Sequence, residues 1–258
     1  MHSFGKAGPR ALILAGIAGL ALTGALAGCK MGSSSGKITV DEAAILAGAE
    51  KGDNWLSYGR TYDEQRFSPL EQVNADNAGK LGLAWYADLD TARGQESTPL
   101  AIDGILYTST AWSMVKAYDG ATGKLIWSYD PKVPRDHLVK ACCDAVNRGV
   151  AAWGDKLFVG TLDGRLVALD RASGKVLWET RTVPQGSDYT ITGAPRVVRG
   201  KVIIGNGGAE FSARGFVAAY DVNDGHQVWK FYTVPGDPSK PFEQTELAMA
   251  AKTWSGEY

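Results

Sequence analysis

The sequence predicts an all-β chain assembled from a tandem repeat of short antiparallel strands. An eleven-residue pattern recurs without gaps at a fixed spacing. Glycine is abundant, at 32 of 258 residues, and 8 tryptophans recur with it. Such a composition suits a chain of many tight turns with regularly placed aromatic anchors.

The repeat defines the elements. The segments Ala117-Tyr-Asp-Gly-Ala-Thr-Gly-Lys-Leu-Ile-Trp127, Ala168-Leu-Asp-Arg-Ala-Ser-Gly-Lys-Val-Leu-Trp178 and Ala219-Tyr-Asp-Val-Asn-Asp-Gly-His-Gln-Val-Trp229 align directly. Asp119, Asp170 and Asp221 are each 51 residues apart, as are the three tryptophans. In each copy an alternating strand ends at the Asp. A tight turn follows, with Gly123, Gly174 or Gly225 supplying the backbone freedom, and a second strand ends on the Trp. Another strand pair lies upstream, as in Leu157–Gly160 and Leu166–Leu169 with Asp163-Gly164 between them. Four strands in roughly fifty residues make one blade of a β-propeller, with the Trp placed to pack on the neighbouring blade. Leu83-Ala-Trp-Tyr86 is expected to close an earlier unit and Pro99–Tyr107 to open the next, so about four blades fit residues 50–258.

The first residues read as an export signal. His2, Lys6 and Arg10 precede an apolar run from Ala11 to Ala27, which is short for a membrane span. Leu26-Ala27-Gly28-Cys29 is similar to a bacterial lipobox, which implies a lipidated Cys29. Residues 1–28 are then a lipoprotein signal peptide, 29–49 a lipidated tether and linker, and 50–258 the propeller domain. Several acyl chains on one residue anchor stably, since each buried methylene adds roughly 0.8 kcal/mol. This places the chain, anchored by lipid, on the periplasmic side of a bacterial membrane.

Charge is balanced, with 27 basic and 28 acidic residues, which gives no support to a nucleic-acid partner. There is no Gly-x-Gly-x-x-Gly fingerprint and no P-loop, so nicotinamide and nucleotide chemistry find no footing. His137 and His226 have no second His or Cys at ligand spacing and read as surface residues. Cys142 and Cys143 are adjacent, and an exported protein keeps disulfides where they form.

The repeat, with five further motifs, is similar to the quinoprotein alcohol dehydrogenases, the methanol and ethanol dehydrogenases that use pyrroloquinoline quinone (PQQ). The motifs are Asp53-Asn-Trp-Leu-Ser-Tyr-Gly-Arg60 with Arg66-Phe-Ser-Pro-Leu70; Gln95-Glu96-Ser-Thr-Pro99; Cys142-Cys143 with Arg148; Ile191-Thr192-Gly-Ala-Pro195; and Gly207-Gly208-Ala209-Glu210. The resemblance covers about residues 50–258 and implies roughly the first half of an eight-bladed ring. It implies a vicinal disulfide between Cys142 and Cys143, forming a flat platform under the quinone. Neighbouring Cα atoms are about 3.8 Å apart, below the common disulfide range, so such a ring is strained. It gives Arg148 the cofactor's oxygens, a match between a planar fork and a carboxylated quinone. Glu96, Thr192, Gly207, Gly208 and Ala209 contact PQQ in this reading, and Glu210 is a ligand of Ca²⁺ or a lanthanide. Taken singly, Glu96 and Thr192 admit a structural role equally well.

The implied reaction is oxidation of a small alcohol to an aldehyde, with hydride passing to a metal-activated quinone. Electrons then leave to cytochrome c or another periplasmic acceptor. The family's second aromatic platform, its Asn metal ligand and its Asp base are expected beyond Tyr258, so the chain reads as an incomplete fragment that is inactive alone. No Cys-x-x-Cys-His is present, so haem c is not encoded here. The competing reading is a non-catalytic propeller lipoprotein that helps assemble outer-membrane proteins. It shares the lipobox and the repeat but needs no adjacent cysteines.

Overall fold

A computed structural model describes residues 37–48 and 50–255. The leader, Cys29 and the tether as far as residue 36 lie outside the described residues. No helix among those described is long and apolar enough to cross a membrane.

Twelve strands form three four-stranded antiparallel sheets. The first comprises β1 (Leu100–Ile102), β2 (Ile105–Ser109), β3 (Val115–Asp119) and β4 (Leu125–Tyr129). The second comprises β5 (Ala151–Trp153), β6 (Lys156–Gly160), β7 (Arg165–Asp170) and β8 (Val176–Arg181). The third comprises β9 (Arg196–Val198), β10 (Lys201–Gly205), β11 (Phe216–Asp221) and β12 (Gln227–Tyr232). Strands adjacent in sequence pair within every sheet, so each is a meander, the propeller blade expected from the repeat.

Burial explains the packing. The middle sheet is buried on both faces, and β7 reads as an almost unbroken apolar run, Leu166 to Leu169. Its residues still alternate by period two. Leu157, Val159, Val167 and Leu169 pack with Leu100, Ile102, Tyr107, Val115 and Ala117 of the first sheet. Phe158, Leu166 and Ala168 face the other way, onto Val202, Ile204, Phe216, Ala218 and Tyr220 of the third. In the third sheet β10 alternates buried and half-buried positions, because one face alone is covered.

The recurring motif is the joint between blades. Ala117, Ala168 and Ala219 are fully buried and stand directly opposite Trp127, Trp178 and Trp229, each next to a register shift in the ladder. In the turns Asp119 Oδ1 accepts from Thr122 N at 2.8 Å, Asp170 Oδ1 from Ser173 N at 2.8 Å and Asp221 Oδ1 from Asn223 N at 2.8 Å. Trp127 Nε1 donates to Arg171 O at 3.2 Å, and Trp178 Nε1 to Val222 O at 3.1 Å, in each case in the next sheet. The rings lie flat on the turn glycines: a Cβ on Gly174 would sit 2.5 Å from Trp127, and one on Gly225 2.6 Å from Trp178.

Two expectations need correction. Residues 53–99 do not form a blade. They hold no strand beyond isolated bridges, Trp55 to Ala101 and Thr98 to Gly149, and Leu83 and Tyr86 are exposed. Three complete blades, not about four, are therefore described. The docking residue survives without the sheet: Trp85 Nε1 donates to Gly120 O at 3.0 Å and its ring covers Gly123. Sequence pattern reveals the Trp, whereas a ladder needs a pairing partner that this segment does not meet. The second concerns residues 37–48, read as the end of a linker. Val40 pairs with Gly154, and Val40 and Ile45 are buried in the core between the first two sheets. Asp41 caps the short helix α1 (Glu42–Ala47), accepting from Ala44 N at 2.8 Å.

On the far side, α2 (Thr245–Ala251) follows a segment that blunts the edge of β12. Gln244 Oε1 accepts from Tyr232 N at 3.2 Å. Arg214 lies 3.9 Å over the Tyr232 ring and donates from Nη1 to Glu243 Oε1 at 2.6 Å.

Two outcomes follow from these joints. Gly174→Ala places a methyl group against Trp127 at φ +70°, whereas Gly154→Ala, at φ +59°, meets open space. In urea unfolding Gly154→Ala is expected to cost about 1–2 kcal/mol, from backbone conformation alone. Gly174→Ala should cost about 1–3 kcal/mol more, from overpacking. Equal losses would show that the Trp–Gly contact carries no weight. The Glu243 carboxyl is held down, from 4.5 to about 2, chiefly by its bond to Arg214. A carboxylate with a depressed folded pKa stabilises above its unfolded pKa, and that stability is lost as pH falls toward about 2. Thermal unfolding of the natural chain and Glu243→Gln should therefore differ most above pH 4.5 and converge near pH 2.

Candidate functional site

Meander topology decides which loops meet. Strand direction alternates within each blade, so the β1–β2 and β3–β4 turns lie at one end, with their equivalents in the other sheets. The β2–β3, β6–β7 and β10–β11 loops lie at the other end, with the connections from β4 to β5 and β8 to β9. Cys142, Cys143 and Arg148 lie on the first connection, Thr192 on the second, Gly207–Glu210 on the β10–β11 loop, and Glu96 just before β1. The residues that the resemblance assigns to the cofactor and its metal thus gather at one end, opposite the docking turns.

Three of them are directly joined. Arg148 Nη2 lies 2.9 Å from Glu96 Oε2, and Arg148 Nη1 donates to Thr192 Oγ1 at 2.6 Å. The backbone repeats the link: Thr98 N donates to Arg148 O at 3.2 Å, and Arg148 N to Thr192 O at 2.9 Å. Glu96, Arg148 and Thr192 therefore stand in a row at the leading ends of the inner strands of all three blades. The Glu96 and Arg148 side chains keep 41% and 38% exposure, so the ion pair contributes little to stability and leaves its charges reachable.

A cleft of about 620 Å³ opens beside this row. Its walls include Glu64, Arg148, Thr192, Arg196, Asn206 and Gly207. Gly207 belongs to a short antiparallel bridge, donating to Thr190 O at 2.8 Å. Gly208 is buried at φ +104°, and a Cβ there would lie 2.4 Å from Asp188 O. Glycine is thus required at 208 by both backbone and space. Ala209 and Glu210 begin an exposed 3₁₀ turn over Ala209–Phe211.

Cys142 and Cys143 are exposed free thiols in this structure. The Cys142 thiol is pushed above its ordinary pKa, chiefly by the hydrogen bond it shares with Cys143, and further by the nearby charge of Glu210. Glu210 lies on the β10–β11 loop of the third blade, at the same end as the two cysteines. The histidines are otherwise engaged: His137 Nε2 lies 3.2 Å from Tyr189 O and is half-buried, and His226 pairs with Asp224. Among the described residues the one cluster of three metal-ligating types is Asp221, Asp224 and His226, in an exposed turn at the docking end.

Sequence reasoning missed the residues that hold these groups in place. Asn147 is buried; its Nδ2 donates to Gly160 O at 2.9 Å and its Oδ1 accepts from Gly149 N at 3.1 Å, fixing the backbone on either side of Arg148. Ser97 Oγ accepts from Ser109 N at 3.1 Å, and Gln95 Nε2 donates to Ser109 O at 2.7 Å, holding Glu96 against the first blade. Glu64, with its ion pair to Arg196, reaches the cleft from the otherwise irregular N-terminal segment. Asn147 lies in the connection that leads to β5, and nothing in the sequence pattern marks it as buried.

Comparison with known proteins agrees with this geometry. The family model for the PQQ-type glucose/ethanol/alcohol dehydrogenase β-propeller domain matches residues 55–256. The quinohemoprotein alcohol dehydrogenase ADH IIB of Pseudomonas putida is 62% identical over 218 residues, 84% of this chain and 32% of that protein. The solved quinohemoprotein alcohol dehydrogenase of Comamonas testosteroni superposes with a TM-score of 0.81 at 52% identity, over 83% of this chain and 32% of that one. A europium-containing methanol dehydrogenase superposes with a TM-score of 0.71 at 36% identity, over 76% and 34%. The chain thus spans about a third of the length of the relatives it matches. It belongs to the PQQ-type glucose/ethanol/alcohol dehydrogenase β-propeller family.

Proposed function

We propose that this chain builds one side of the PQQ site of an alcohol dehydrogenase. The observation that carries the reading is the Glu96–Arg148–Thr192 row, which places an anion-binding fork and two oxygen partners at one end of three neighbouring blades. The donor set fits the cofactor. Arg148 offers a planar fork to carboxylate or quinone oxygens, and Thr192 and Glu96 orient it. The Gly207-Gly208-Ala209 backbone lets a flat ligand approach closely. Cys142 and Cys143, joined as a vicinal disulfide in an oxidising compartment, give a flat platform beside it.

Bound PQQ supplies the hydride acceptor, and a metal supplies Lewis acidity at its carbonyl. Glu210 is the carboxylate offered to that metal, Ca²⁺ or a lanthanide, the latter supported by the europium-containing relative. A hard cation takes six or more oxygens, so Glu210 contributes a minority of the shell. Arg148 and Thr192 orient the cofactor, and the cleft walls shield one of its faces from water. The substrate in this reading is a small alcohol, and the acceptor is cytochrome c or another periplasmic carrier. Lipidation at Cys29 holds the protein on the periplasmic side of the membrane. The alternative of an assembly scaffold leaves the Arg148 row and the Gly-Gly pair without a purpose, and the relatives at 47–62% identity carry dehydrogenase names.

Two measurements test the reading. PQQ titration followed by tryptophan fluorescence should show saturable binding. Arg148→Lys should weaken it roughly tenfold, corresponding to ~1.4 kcal/mol for a lost bidentate contact; no weakening would remove Arg148 from the site. Dye-linked ethanol oxidation by the 258-residue chain with PQQ and Ca²⁺ should show no turnover, since the chain spans about a third of its relatives' length and the row described here supplies binding groups on one side of the cofactor. Turnover comparable to that of a full-length relative would mean that the catalytic groups are already present here.

A further inference from the structure

The β2–β3 loop holds two consecutive non-glycine residues in left-handed backbone. Trp112 has φ +65° and the adjacent Ser113 φ +59°. A bulky residue seldom adopts this region, and it persists only where the surroundings over-determine it. Here they do. Trp112 is 8% exposed and Ser113 fully buried, with Ser113 Oγ accepting from Leu162 N at 3.1 Å. Ala111, Trp112, Met114, Val133, Ala145 and Leu162 form an apolar cluster separate from the two inter-blade cores, with Ala141 packed against it.

That cluster lies under the cysteine loop. Ala141 and Ala145 flank Cys142–Asp144, so both ends of the loop rest on it. Trp112 N donates to Ala145 O at 2.7 Å. Arg135 lies 4.1 Å and Arg93 5.3 Å from the centre of the Trp112 ring. Arg93 also forms an ion pair with Asp144, which is itself held at φ +79° directly after Cys143. Trp112 thus holds the loop at Ala145 and Arg93 holds it at Asp144, while both Arg93 and Arg135 lie over the Trp112 ring.

We infer that Trp112 and Arg93 are positioning residues for the Cys142–Cys143 pair. Trp112 fixes the height of the loop through Ala145, and Arg93 fixes its far side through Asp144 while stacking on the same ring. The inference rests on the reading that this pair forms one face of the quinone site. It deepens that reading by assigning the platform's geometry to residues that do not touch the cofactor.

The test uses the 258-residue chain and reads the cysteines themselves. Each protein is equilibrated with mixtures of reduced and oxidised dithiothreitol, quenched in acid and alkylated, and the Cys142–Cys143 peptide is weighed. Closing the disulfide takes two protons and two electrons from the thiols and opens oxidised dithiothreitol to its dithiol, so the mixture sets the balance. Arg93→Gln is expected to shift the midpoint roughly three- to tenfold, the combined size of a partly exposed ion pair and a cation–π contact. Arg93→Lys, which keeps both in weaker form, should recover most of the shift. Trp112→Leu should shift the midpoint in the same direction as Arg93→Gln; circular dichroism checks the fold, and where Trp112→Leu does not fold, Arg93→Gln alone decides. A folded Arg93→Gln protein with an unmoved midpoint overturns the inference. PQQ titration of the same proteins separates the two readings. A moved midpoint with no PQQ binding by the natural chain leaves the positioning role standing and removes the cofactor reading.

Discussion

The structure depends on the contact between a tryptophan of one blade and a glycine turn of the next. A single blade cannot bury both its faces, so its strands gain stability only against neighbours. The Trp–Gly joint sets the spacing and angle of that packing. It needs three residue types and one backbone group at once: a small Ala opposite the Trp, an Asp to hold the turn, a Gly at positive φ under the ring, and a carbonyl to receive the indole N–H. Each is present at Trp127 and Trp178, and Trp85 uses the same slot without a sheet behind it. The joint thus outlasts the blade that normally presents it, which marks it as the more basic unit.

Much of this was legible because the joint is local in sequence. Asp119, Gly123 and Trp127 lie within nine residues, and the 51-residue recurrence exposes them by simple alignment. The strand pairs followed from turn chemistry and alternation. What stayed hidden depended on distant partners. Whether residues 83–86 form a strand depends on a neighbouring strand, not on their own composition. Val40 and Ile45 look like ordinary apolar residues of a tether until Gly154 and the first two sheets are placed around them. The site divides in the same way. Glu96, Arg148 and Thr192 were visible through resemblance, but their direct linkage was not. Asn147, Ser97 and Gln95 carry no signature because their role is to satisfy backbone groups of other elements.

Trp112 shows where sequence reading fails for a further reason. Tryptophan at positive φ contradicts local preference, so propensity predicts the wrong backbone there. Such contradictions persist when tertiary packing outweighs them, and they concentrate where a site must be held in one geometry. The contradiction becomes informative only once the loop it supports is seen to carry Cys142 and Cys143.

The two ends of the molecule divide its tasks, yet they are mechanically coupled. Turns, caps and Trp joints occupy one end, and the cleft and its polar row occupy the other. Glu96, Arg148 and Thr192 lie on the segments that lead into three different sheets, so no single blade fixes their separations. Hydrogen bonds of 2.6–3.2 Å join them, but these are few and partly solvated. The distances between blades are set mainly by the two apolar cores and by the tryptophans at the opposite end. A flat, rigid ligand tolerates little misalignment of its contacts. Loosening a joint such as Trp127 on Gly174 would therefore disturb the Arg148 row at the other end of the sheet without touching any residue of the site. In this architecture the precision of the binding groups is inherited from the packing of aromatic rings on glycine.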